Sequence, residues 1–189
     1  MKYVIEKNSN QYNLMGGKGT ALAKIGMAID NIPEWFAVSS EGFNIQNKQI
    51  KDIARTEIVE RLESFPENTY FAVRSSAANE DSKENSFAGQ FDTFLYIKRD
   101  DVINKIKDVY MSAFSERIEA YRKENNVTEI SIPSVIVQKM VNSEKAGVAF
   151  GANPVNSNIK ETLVTAVYGL GSSLVDGIAT ADTYIVDNN

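Results

Sequence analysis

Several stretches of this 189-residue sequence carry residue types suited to holding phosphate. The first is Gly16-Gly17-Lys18-Gly19. Glycines let a backbone approach a ligand closely. A helix opening there would aim amide N–H groups and a partial positive charge at an anion, and Lys18 adds a flexible cation. The stretch is not a Walker A loop, which needs Gly at position 12 and Ser or Thr after the Lys. Tyr12 and Gly19 stand there instead. An ordinary Gly-rich turn before a helix uses the same residues.

The second stretch is Arg74-Ser75-Ser76, closing the apolar run Tyr70-Phe71-Ala72-Val73. A strand end is a rigid platform, and the Arg fork matches phosphate oxygens. A surface ion pair is the plainer use of such an Arg. The third is Ser86-Phe87-Ala88-Gly89-Gln90, within a long polar segment from Ser75 to Gln90. Gly89 can bring amides over a ligand, or the segment is simply a mobile loop. The fourth is Gln138, interrupting the apolar run 135–141. Its amide can read an adenine edge, or it is an outward strand residue by alternation. Gly169-Leu170-Gly171 reads by default as a structural turn.

The composition limits the chemistry. The chain has no His and no Cys, so His-based acid–base catalysis, serine triads, His metal sites, disulfides and thiolate nucleophiles are excluded for these residues. Asp plus Glu is 25 against 20 Lys plus Arg, a formal charge of -5, which argues against nucleic acid and anionic membranes as partners. The start of the sequence lacks a signal-peptide apolar run and no stretch is apolar enough for a span, so a cytoplasmic location is expected.

The elements that would position these groups follow from periodicity. Residues 1–15 read as irregular. A helix is expected from Thr20 until Pro33 stops it, then a strand at Trp35–Val38 and a helix capped by Ser39. Residues 49–64 suit an amphipathic helix, and residues 100–124 form one apolar stripe from Val102 to Tyr121. Strands are expected near 70–74, 91–97, 134–141, 146–152, 162–168 and 183–186. Early helices and later strands suggest an α+β fold, with a first lobe at about 1–98 and a helix plus strand-rich part at 99–189.

Taken in order, these segments resemble the N-terminal nucleotide-binding domain of the phosphoenolpyruvate synthase and pyruvate phosphate dikinase family, which includes rifampin phosphotransferase-like enzymes. The resemblance is carried by 16–23, by Ile32-Pro33-Glu34-Trp35-Phe36-Ala37-Val38-Ser39, and by Phe71 to Ala77 with Glu80-Asp81. It continues through Ser86 to Leu95, then 137–141, Ala146 to Phe150 and Tyr168 to Gly171.

The resemblance implies an ATP-grasp-like fold with ATP between two α+β subdomains. It implies that Lys18 and Arg74, with Ser75, contact ATP phosphates, that the loop through Gly89 and Thr93 covers them, and that Gln138 lies near the adenine. In the family, ATP phosphorylates a His on a separate mobile domain, and the group then passes to an acceptor. The chain is therefore expected to be the front part of such a domain. Its phosphohistidine and acceptor domains would be elsewhere, and its Mg2+ ligands beyond residue 189. The family pattern also differs in places: 43–70 is shorter than usual, Asn153 stands for Asp, and Ala78 stands for Thr. A non-catalytic nucleotide-binding module and a purely structural one are the alternatives.

Overall fold

The apolar runs Trp35–Val38 (β2), Tyr70–Ser76 (β5) and Ser134–Lys139 (β7) are rich in β-branched and aromatic side chains, which favours extended pairing. In a computed structural model of the chain, which describes residues 2–77, 92–124 and 132–188, these three strands lie side by side. Val4–Glu6 (β1) and Thr93–Lys98 (β6) complete an antiparallel sheet of order β1-β2-β7-β5-β6. The expectation that 1–15 is wholly irregular is thus corrected. Val4 pairs with Val38, and Glu57 on a nearby helix accepts hydrogen bonds from the Tyr3 and Val4 amides at 2.7 and 2.8 Å.

Both faces of this sheet are covered, which is why its central strands read as apolar runs rather than alternating ones. On one face lie helices Asp52–Glu63 (α2) and Val102–Ser112 (α3). Phe36, Val38, Phe71, Val73, Val135 and Val137 from the sheet meet Ile58, Leu62, Ile106 and Tyr110 there. Burying each such large side chain contributes about 1.5–3 kcal/mol before entropy is counted. On the other face lies helix Gly16–Gly26 (α1), packed through Met15 and Ala23 on Ile5, Trp35, Ala37 and Ile136.

Three expected helices differ. α1 begins at Gly16 rather than after the glycines and ends at Gly26, ahead of Pro33, because its first amides are held at the end of β5. The stripe at 100–124 divides into α3 and Glu116–Glu124 (α4), because residues 113–115 tighten into a turn and Ser115 Oγ accepts from the Ile118 amide at 3.4 Å. The Tyr121 side chain lies outside the described part. Ser39 does cap, but only a single 3-10 turn at Ser40–Gly42. Phe43 then enters a short hairpin, Phe43–Asn44 (β3) with Gln49–Ile50 (β4), because Phe43 and Ile50 pair and both are buried.

The chain divides into two compact units, Met1–Met140 and Val141–Asn189. The boundary falls later than residue 98, because β7 inserts between β2 and β5 and so ties residues 134–139 to the first unit. The second unit is an antiparallel sheet of order β10-β9-β8, formed by Asp182–Asp187 (β10), Glu161–Tyr168 (β9) and Lys145–Phe150 (β8). A one-turn helix, Ser172–Val175 (α5), precedes β10. The whole is a mixed α/β chain with antiparallel sheets and packed helices. Among the described residues no helix is long and apolar enough to cross a membrane.

Candidate functional site

The glycine run and the end of β5 meet. Gly16 adopts φ +69°, and a Cβ placed on it would lie 1.8 Å from the Ser76 carbonyl oxygen. Only glycine tolerates both the left-handed backbone and that approach. The Gly17 amide donates to the Ala77 carbonyl at 2.9 Å and the Gly19 amide to Ser76 Oγ at 3.0 Å. Ser76 Oγ in turn donates to the Met15 carbonyl at 2.7 Å. Two of the amides at the start of α1 are therefore satisfied inside the protein. The expectation of a full set of free amide donors is narrowed to the rest of that turn. Lys18 sits half-buried in the turn and already has a partner within the protein.

Strand alternation decides which neighbours of Arg74 share its surface. Ser76 Oγ bonds α1, so the even-numbered residues of β5 face the α1 side and the odd-numbered Phe71 and Val73 face α2 and α3. Arg74 is half-buried on the α1 face. Its cross-strand partners are Ile136 on β7 and Thr93 on β6, and Thr93 is exposed. One pleat along, Ala72 faces Gln138, whose other neighbour is Trp35. Gln138 is half-buried, and its Nε2 donates to the Pro33 carbonyl at 3.4 Å. Gln138 is thus neither fully outward, as plain alternation on an open strand would have it, nor in the core.

Arg74, Thr93 and Gln138 therefore share one sheet face, with the α1 N-terminal turn built onto its rim. Ser75 does not share it. It is 2% exposed, pairs with Val135 and turns to the opposite face, because adjacent strand residues point to opposite sides. Ser76 is the serine that sequence reasoning underrated: its hydroxyl holds the helix start in place, and its even spacing from Arg74 was the available signal. Gly89 and Ala78 lie outside the described residues. Among the described residues there is no cluster of three or more His, Cys, Asp or Glu able to hold a metal ion.

Asn153 has its own explanation. It is 2% exposed and donates through Nδ2 to Glu161 Oε2 at 2.7 Å. Asn156 and Asn158 donate to the same carboxylate at 3.1 and 2.9 Å. These amides hold the Glu161 carboxyl below its usual range, Asn153 contributing most. An Asp at 153 could not donate.

Comparison with known proteins identifies the family. Residues 45–189 match the family of pyruvate phosphate dikinase AMP/ATP-binding domains. The segment from Gly16 to Lys18 lies ahead of that match. A phosphoenolpyruvate synthase of Pyrococcus furiosus is 47% identical over 123 residues, which are 64% of this chain and 15% of that protein. A probable phosphoenolpyruvate synthase of Archaeoglobus fulgidus is 32% identical over 229 positions, covering 98% of this chain and 30% of that protein. One from Methanothermobacter thermautotrophicus is 31% identical, covering 99% of this chain and 34% of its own length. The chain thus spans about a third or less of these relatives. The 229 aligned positions exceed the chain's 189 residues, so the Archaeoglobus protein carries segments this chain lacks. The chain belongs to the family of pyruvate phosphate dikinase AMP/ATP-binding domains, the nucleotide-binding part of phosphotransferases of the phosphoenolpyruvate synthase and pyruvate phosphate dikinase type.

Proposed function

We propose that this chain binds ATP on the Arg74 face of its five-stranded sheet, within an ATP-grasp-like fold. It would serve a longer or companion protein that uses ATP to phosphorylate a histidine on a separate domain. The observation that carries this reading is the junction of the Gly16–Gly19 turn with the end of β5, sealed through Ser76. It brings two cation-bearing segments, some sixty residues apart in sequence, to one rim. Bound ATP supplies the phosphoryl group.

The chain's own residues neutralise and position, which is most of what phosphoryl transfer asks of a protein. Arg74 offers paired N–H donors to phosphate oxygens, Lys18 adds a point charge, and the Thr93 hydroxyl donates beside Arg74. Gln138 retains its amide oxygen for a base edge. Gly89 is assigned to the loop over the phosphates by family resemblance alone. Mg2+ belongs to this reading, but no described residue is assigned to it.

The test is calorimetric titration of the chain with ATP, with and without Mg2+, in the wild type and in Arg74→Ala. Saturable binding by the wild type that weakens in the variant supports the reading; equal heats from both sink it. A second reading, a nucleotide-binding module without turnover, is favoured by the segments this chain lacks relative to the Archaeoglobus protein. It predicts ATP binding but no label transfer from γ-labelled ATP to a supplied histidine domain.

A further inference from the structure

We infer that Tyr70, braced edge-on by Tyr96, is the platform on which the base of the bound nucleotide stacks. This rests on the Arg74 face being the nucleotide site. Tyr70, Ala72 and Arg74 alternate onto that one face, and the Met140 amide donates to the Tyr70 carbonyl at 2.8 Å, continuing the ladder past the Ala72–Gln138 pair. Four residues of strand separate Tyr70 from Arg74 by about 13 Å. A ribose and a short polyphosphate bridge such a span. Between the two ends, Ala72 keeps the surface low beside Gln138.

Both tyrosines are exposed, at 43% and 44%. Their rings meet at 6.1 Å between centroids and 76°. That T-shaped contact steadies the Tyr70 ring on one side, while Tyr70 stays 43% exposed. Tyr96 reaches Tyr70 through an irregularity. The β5–β6 register slips between Phe71 and Val73, and Tyr96 adopts φ +56° at the slip.

With regular alternation Tyr96 would share the core face with Phe94, and Ile97 would point out. The extra residue returns Ile97 to the core beside Phe71 and frees Tyr96. An aromatic residue in the left-handed region is uncommon, and such backbone is retained mostly where function requires it.

Stacking on an aromatic face tolerates different bases, so the platform contributes affinity for a base without choosing it. The test compares ATP with inorganic tripolyphosphate by calorimetry on the wild-type chain, Tyr70→Ala, Tyr70→Phe and Arg74→Ala. Tyr70→Ala is expected to weaken ATP about tenfold and to leave tripolyphosphate unchanged, while Tyr70→Phe retains both. Arg74→Ala weakens both ligands. Tyr70→Trp supplies a second readout: its added fluorescence is quenched by ATP and not by tripolyphosphate. If Tyr70→Ala binds ATP like the wild type, or the Tyr70→Trp signal ignores ATP, the platform is refuted while the phosphate site stands. If the wild type binds neither ligand, the reading of the whole face falls, and the platform with it.

Discussion

Gly16 rests against Ser76 so closely that an added methyl group would sit 1.8 Å from the serine's carbonyl oxygen. This contact joins the start of α1 to the end of β5 and so sets where Lys18 stands relative to Arg74. Gly16→Ala must both enter a left-handed backbone, at about 1–2 kcal/mol, and push the strand end away. The expected result is a melting temperature lowered by several degrees and a matching loss of ATP affinity. Gly26→Ala is the control, since its Cβ would meet Ile32 at an ordinary 3.6 Å. It should be neutral or slightly stabilising, because alanine is the better helix former. Equal melting points for the two variants would contradict the geometry.

Arg74→Lys keeps the charge and loses the fork. Hydrogen bonds to charged groups are worth about 1.5–3 kcal/mol, so Arg74→Ala should weaken ATP by roughly ten- to a hundredfold, with Arg74→Lys in between. Lys18→Ala should weaken ATP as well. If both residues touch one polyphosphate, the double variant will show non-additive losses in a double-mutant cycle. Fully additive losses would place them on separate ligand groups.

Tyr110 makes a pH prediction. It is fully buried in the core against Phe43, and its hydroxyl donates to the Ser39 carbonyl at 2.8 Å. Burial pushes its pKa well above the ordinary value of 10.0. The unfolded chain therefore loses this proton first as pH rises. The stabilisation is complete below about pH 10 and declines above it. Tyr110→Phe should cost about 1 kcal/mol at neutral pH and make the alkaline loss shallower. Denaturant unfolding at pH 7 and pH 10.5 measures both.

Asn153→Asp would exchange a donor for a second carboxylate against Glu161. Two contacting carboxylates cannot both stay ionised cheaply. The wild-type arrangement depresses the Glu161 pKa, so its contribution is present above the usual carboxylate range and lost as pH falls through it. The variant should melt lower than wild type at pH 7, with the gap closing near pH 4 as one carboxyl protonates. A gap independent of pH would show that packing, not charge, explains the asparagine.

The segments that matter are legible in the amino-acid order alone. The apolar runs at 35–38, 70–76 and 134–139 demand a buried sheet because no amphipathic alternation relieves them. Gly16-Gly17-Lys18-Gly19, Arg74 and Gln138 were legible as candidates because their chemistry is local to a few residues. The rest emerges only once the strands pair and the helices pack. Which serine shares a face with Arg74 depends on strand parity, and that is anchored only when Ser76 meets Gly19. The placement of β7 between β2 and β5 joins residues a hundred apart, and no local pattern encodes such a pairing. The slip that frees Tyr96 is a mismatch between two strands, a property of the pair that neither strand carries alone.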